Sequence, residues 1–233
     1  MGQSSGIGVL DKAVHVLRAT VASPIGLADL CTATGLPRAT AHRLAVGLEA
    51  HGLLSRDDQG RWRPGQMLAV LAAGAPDPLI AAAAEVLPRL RDRTGESVQV
   101  YRADGMARVC IAVSEPAAGL RDTVPLGARL PMTAGSAAKV LGAWGDPTLQ
   151  RAMLAADRIT DRMLAEVRRR GWAQSVAERE PGVASVSAPV RDKSGTVIAA
   201  VSVSGPIDRI GRRPGARWAG DLVQASEALT ARL

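Results

Sequence analysis

Residues 35–52, GLPRATAHRLAVGLEAHG, constrain this chain more than any other stretch. Pro37 suits the first turn of a helix, where its missing N–H costs nothing, and Gly52 suits a C-terminal stop. Ala41, Leu44, Ala45 and Leu48 fall at i, i+3, i+4 and i+7 and make one apolar stripe. The other face begins with Arg38, Ala39, Thr40, His42 and Arg43. Small residues allow close approach to a DNA major groove, alanine and threonine methyls can meet a thymine methyl, and arginine can grip guanine in bidentate fashion. An ordinary amphipathic helix with a solvated basic face has the same spacing, so the flanking sequence has to decide.

The flanks favour a DNA-binding module. Residues 9–22 predict a helix with Leu10, Val14, Leu17 and Val21 on one face, and residues 27–34 predict a second with Leu27, Leu30 and Cys31 inward. Thr34-Gly35-Leu36 is a tight connection, which completes a helix-turn-helix signature. Strand candidates at 53–56 and 61–63 flank the turn-rich Asp57-Asp58-Gln59-Gly60. Helix, helix, helix and hairpin make a winged helix-turn-helix over residues 1–65. Arg56, Arg61 and Arg63 on the wing suit phosphate contacts that position without reading sequence.

A second domain follows. Residues 66–75, QMLAVLAAGA, predict a linker helix so apolar that it needs a cover, and Pro76-Asp77-Pro78 punctuates the chain. The linker is taken as 66–77 and the second domain as 78–233. Residues 78–94 predict a helix with Ile80, Ala84, Leu87 and Leu90 inward, bent or broken at Pro88. Strands at 97–102 and 108–114 surround an Ala-Asp-Gly turn, and Leu130 leads into a small-residue helix, TAGSAAKVLGAW. A charged helix at 161–170 ends at Gly171; a hairpin at 183–191 and 196–204 and a final helix at 217–233 complete the chain. That order predicts an antiparallel sheet with helices on its faces, an α+β domain.

Charge and composition narrow the function. A formal charge of +7 favours an acidic partner such as nucleic acid, but residues 1–75 carry seven basic and five acidic side chains, only +2 of that total. Charge therefore does not locate the site. Cys31 and Cys110 predict reduced, buried thiols rather than a disulfide. No run of about 18 apolar residues predicts a membrane span, and no leader pattern opens the chain, so a soluble cytoplasmic protein is expected. Gly135-Ser136-Ala137-Ala138 lacks the G-x-S-x-G elbow. His15, His42 and His51 all lie in the first domain, leaving no histidine for a triad in the second. No enzyme, metal or cofactor is expected.

The segments GLPRATAHRLAVGLEAHGLL (35–54), RLPMTAGSAAKVL (129–141), RRRGWAQS (168–175), EREPGVASVSAPV (178–190) and AAVSVSGPIDRI (199–210) share an order and spacing that resembles the IclR family of bacterial transcriptional regulators. The resemblance implies a winged helix joined by a linker helix to an effector-binding domain of GAF-like fold. It also implies dimers or tetramers that bind operator DNA, commonly as repressors, under small-molecule control. GVLDKAVHVL (8–17), LRDTVPLGARL (120–130) and residues 168–191 are similar to actinobacterial members that govern leucine and tryptophan biosynthesis genes. The alternatives are a metabolite sensor without DNA binding and a regulator of a different, catabolic pathway.

The resemblance further implies an effector pocket at Met132, Ser136, Ala137, Ser175, Ser185, Ser202 and Ser204. The residues agree in part. Ser202 and Ser204 alternate with Val201 and Val203 and so share a strand face. Ser136 and Ala137 open a helix whose free N–H groups can hold a carboxylate. The expected effector is a small carboxylate, an amino acid or a keto acid. Hydroxyls can donate to it without the desolvation cost of burying lysine or arginine.

Overall fold

Helix α1 (Gly8–Ala19), α2 (Leu27–Thr34) and α3 (Arg38–Ala50) precede a two-stranded hairpin, β1 (Leu54–Arg56) and β2 (Trp62–Pro64), and helix α4 (Gln66–Ala73). The structure is a computed structural model that describes residues 6–74, 76–156 and 158–233. It divides into two units, Met1–Pro76 and Asp77–Leu233.

In the first unit, Gly35 ends α2 in the left-handed conformation (φ +67°), which a side chain rarely adopts, and its N–H reaches the Cys31 carbonyl at 2.9 Å. This sets up the turn into α3. Val16, Leu30, Ala41, Ala45, Leu48, Leu54 and Trp62 form the core. The inward face of α1 differs from the expectation. Val16 is fully buried, while Leu10 and Val21 are exposed. The helix stops at Ala19, and the Thr20 hydroxyl donates to the Leu17 carbonyl, so Val21 falls outside the helical repeat. Gly65 closes the hairpin; a Cβ there would overlap the Gly52 carbonyl oxygen. Helix α4 buries none of its residues, and Met67, Val70 and Leu71 are exposed.

The second unit is an antiparallel six-stranded sheet with helices on both faces. Its elements are α5 (Pro78–Thr94), β3 (Ser97–Asp104), β4 (Ala107–Ser114), β5 (Arg129–Pro131), α6 (Ser136–Ala143), α7 (Pro147–Ala155), α8 (Asp161–Arg170), β6 (Ala173–Val176), β7 (Val183–Arg191), β8 (Val197–Pro206), α9 (Ile207–Ile210) and α10 (Pro214–Thr230). Strand order is β5-β4-β3-β8-β7-β6. Helices α5 and α10 bury Leu79, Leu87, Leu90, Trp218, Leu222 and Leu229 against Val98, Val100, Val186, Val201 and Val203. On the other face, residues from α6, α7 and α8 pack with Tyr101, Cys110, Ala173 and Ala200.

Pro88 does not break α5, which runs unbroken through it. The carbonyl that loses its donor belongs to Ala84, on the exposed side, where water can serve it. Ile80 and Ala84 are exposed rather than inward, and Leu79, Ala83 and Val86 take the buried face. Strands β5 and β6 and helix α7 add elements the sequence reading did not contain. Both strands are short, three and four residues, too short for an alternating pattern to stand out.

The register places the hydroxyls. Ser185 pairs with Ser204 and Ser187 with Ser202 across β7 and β8, while Ser97 and Gln99 of β3 face Ser204 and Ser202. Alternation sends the intervening valines to the α5–α10 core and these polar side chains to the opposite face.

Candidate DNA-reading helix and effector cleft

Helix α3 presents Arg38, Ala39, His42 and Arg43 to the exterior, with Thr40 partly buried. Among the described residues neither Arg38 nor Arg43 forms an ion pair. The His42 ring stands edge-on to Trp62 at 5.9 Å, which ties α3 to the hairpin.

The wing arginines are less available than their exposure suggests. Arg56 lies 4.5 Å over the Trp62 ring and donates to Glu49, which also accepts from the Trp62 indole N–H at 3.2 Å. Arg61 pairs with Asp57 at 2.8 Å. Burial opposes the Asp57 charge, but the Arg61 backbone N–H, its guanidinium and the Gln59 N–H hold the carboxyl below the usual range. Of the three, Arg63 alone has no acidic partner among the described residues; its Nε donates to the Ser55 hydroxyl at 3.3 Å.

In the second unit, Ser136, Ala137, Ser175, Ser185, Ser202 and Ser204 line one cleft. Met132 does not. Its N–H bonds to the Met106 carbonyl just past β5, and its side chain is fully buried in the core beneath α6. Ser136, at the start of α6, links the hydroxyls: its Oγ is 2.7 Å from both Ser185 Oγ and Ser187 Oγ. Ser187 in turn donates to Ser202 at 3.0 Å, and Ser204 donates to the Gln99 side-chain carbonyl at 3.1 Å.

The cleft also contains groups the sequence reading missed, namely Tyr101, Arg108, Asp122, Gly135, Arg179 and Val183. The serine cleft is thus lined by a buried arginine that the sequence reading did not include. Arg108 is 3% exposed; its Nη1 donates to the carbonyls of Pro131 and Ala134, and its Nε has no partner among the described residues. Its guanidinium lies 5.4 Å from the Tyr101 ring centre. Burial pulls the Arg108 pKa down to about 10 and pushes the Tyr101 hydroxyl up. Arg179 holds both oxygens of Asp122 at 2.7 and 2.9 Å; burial works against its charge, but the Asp122 carboxylate keeps its pKa raised.

Gly135, with φ +99°, abuts Arg108. A Cβ at that position would lie 2.9 Å from Nη2. The Gly135 N–H is taken by Glu178, which also pairs with the buried Lys139. The N-terminus of α6 is thus partly satisfied from within. In this state the cleft holds about 20 Å³, room for about one water. Two signals could have found the missed residues. Arg108 shares its strand phase with the buried Cys110, and Tyr101 is the chain's only tyrosine.

Comparison with known proteins agrees with this two-unit architecture. Residues 9–58 match the IclR helix-turn-helix domain, and residues 75–231 match the family described as the bacterial transcriptional regulator IclR C-terminal domain. The chain is 31% identical over 222 residues to the glycerol operon regulatory protein of Streptomyces coelicolor, covering 87% of this chain and 86% of that one. It is 30% identical over 227 residues to the HTH-type transcriptional regulator BhcR of Paracoccus denitrificans, covering 89% and 80%. In fold it is similar to an IclR homologue from Microbacterium hydrocarbonoxydans crystallised with 4-hydroxybenzoate, with TM-score 0.79, 23% identity, and coverage of 97% and 98%. No single helix among the described residues is long and apolar enough to cross a membrane. The chain belongs to the IclR family and is a DNA-binding transcriptional regulator, not an enzyme.

Proposed function

We propose that α3 reads operator DNA, that the serine-lined cleft takes a small carboxylate effector, and that occupation of the cleft changes operator affinity. One observation carries the effector half: a buried arginine, Arg108, lines a hydroxyl-rich cleft with no carboxylate paired to it among the described residues. An unneutralised buried charge is costly, and an anionic ligand offsets that cost. For the DNA half, the support is the exposure of Arg38, Ala39, His42 and Arg43 on one face of α3, with Thr40 beside them. Arg63 supplies the backbone contact from the wing, with Arg56 and Arg61 held back by their acidic partners.

The protein acts in the cytoplasm as a homodimer, or as a tetramer built from dimers. The support is the apolar surface of the first unit, where Ile7, Val9, Leu10, Val70 and Leu71 are exposed, together with the two half-sites that helix-turn-helix proteins usually read. For the pathway, the resemblance to regulators of leucine and tryptophan genes has no counterpart among the relatives described above, one of which regulates a glycerol operon. We therefore favour the catabolic alternative. Anisotropy titration of DNA from upstream of the protein's own gene, with and without candidate acids, tests the reading. Operator binding that no acid alters would refute the effector half, and no preference for this DNA over unrelated sequence would refute the DNA half.

A further inference from the structure

Glu49 is the next-to-last residue of α3, a helix with no basic side chain in its last turn. The helix dipole opposes an anion there, so α3 by itself gives no reason for a carboxylate at that position. The hairpin does. Glu49 accepts from the Arg56 Nε at 3.2 and 3.1 Å through its two oxygens, and from the Trp62 indole N–H at 3.2 Å. Arg56 and Trp62 are cross-strand partners, one on β1 and one on β2. A single carboxylate of α3 therefore holds both strands of the wing. The wing needs a hold, because each strand has three residues and a hairpin that short is marginal alone. Ile25 bridges Trp62 through two backbone hydrogen bonds of 2.9 Å, but that joins the wing to the chain before α2 and not to α3. The same carboxylate also occupies Arg56, whose guanidinium lies over the Trp62 ring. To reach a DNA phosphate, Arg56 has to leave Glu49 and bring a second anion close to it, which like-charge repulsion opposes. Arg63 is paired with Ser55 on the other face of the hairpin and carries no such restraint.

We propose, resting on the DNA half of the reading above, that Glu49 is the positioning residue that joins the base-reading helix to the wing, and that it does two separable things. Its acceptor oxygens fix the wing against α3, so that backbone and base contacts are made together in one register. Its charge holds Arg56 back, so that the sequence-independent grip on phosphates stays weak. Phosphate contacts carry no sequence information, so the first role sets operator preference and the second sets affinity for any DNA. The Arg56 and Glu49 side chains are 40% and 32% exposed, so solvent screens the pair and the expected effects are of a few fold.

The test uses the full chain, DNA from upstream of its own gene and an unrelated duplex of equal length, titrated by anisotropy over a series of salt concentrations. Glu49→Gln keeps the shape and an acceptor for the indole but removes the charge. It is expected to bind both duplexes at least about threefold more tightly, with a salt slope steeper by about one phosphate contact. Its preference between the two duplexes is expected to stay within about twofold of the parent. Adding Arg56→Ala to Glu49→Gln is expected to abolish the gain and restore the slope. Glu49→Ala removes the acceptor as well, and is expected to lower the preference for the own-gene DNA by at least about threefold. Without DNA, the amides of residues 54–64 in Glu49→Ala are expected to exchange hydrogen at least about fivefold faster than in the parent. A gain that survives Arg56→Ala, an unchanged salt slope in Glu49→Gln, or an unchanged preference or unchanged exchange in a folded Glu49→Ala protein would each overturn the proposal. If Glu49→Ala does not fold, the salt slopes of Glu49→Gln with and without Arg56→Ala still decide it. A parent protein that shows no preference for the own-gene DNA counts against the DNA reading, while the exchange rates still judge the hold of Glu49 on the wing.

Discussion

At the scale of single residues, the two proposed sites differ in how far their charges are already spoken for. Arg43 lies on the exposed face of α3 without an acidic partner among the described residues, so Arg43→Ala is expected to cost about 1–3 kcal/mol of discrimination between operator and altered sites. Unchanged operator preference in that protein would contradict the assignment. Arg63→Ala is expected to weaken all DNA alike and flatten the salt dependence by about one phosphate contact, with Arg61→Ala doing less because Asp57 already holds Arg61. Salt titrations of the two variants separate them. In the cleft, Gly135→Ala is expected to abolish the acid response or to destabilise the fold by about 1–3 kcal/mol, since the position combines φ +99° with a Cβ only 2.9 Å from Arg108. Full stability together with a full response would contradict that. The serines of the cleft were legible because Ser202 and Ser204 alternate with valines. Asp122 and Arg179 were not, because the loops that bring them together are 57 residues apart in sequence and carry no local pattern.

At the scale of elements, legibility followed length and punctuation. Helix α3 was readable because its stripe, its proline and its stop all agree. The inward face of α5 was misjudged because that helix is rich in alanine, and an alanine-rich stretch offers no sharp boundary between faces. Helix α5 also yields a pH prediction. Asp77 caps it, accepting from the Leu79 N–H at 3.0 Å, and pairs with Arg102. Hydrogen bonds from the Arg102 guanidinium, against some burial, hold the Asp77 carboxyl below its ordinary value of 3.8. A lowered folded pKa means that this stability is fully present above the ordinary value and is lost as pH falls through the folded one. Asp77→Ala is expected to cost about 1 kcal/mol at neutral pH, the usual worth of an N-cap. The parent and variant melting curves should then converge as pH drops below that window. A difference that stays constant into acid would show that the carboxylate charge is not what matters there.

At the scale of the whole molecule, the first unit leaves Ile7, Val9, Leu10, Met67, Val70 and Leu71 exposed, and large exposed apolar patches mark interaction surfaces. Light scattering at micromolar concentration is expected to return at least twice the chain mass of 24.2 kDa; a monomer would contradict the dimer. The central claim is that cleft occupancy and operator binding are coupled, which requires the acid to distinguish between states of different operator affinity. The most direct measurement is an anisotropy titration of the full chain against fluorescent DNA from upstream of its own gene. It is run with and without a saturating small carboxylate, on the parent and on the Ser202→Ala/Ser204→Ala protein. An acid-dependent change of about tenfold or more in parent affinity is expected. The double variant is expected to bind DNA like the acid-free parent and not to respond. Superimposable parent curves with and without acid, or a double variant that responds like the parent, would contradict the coupling.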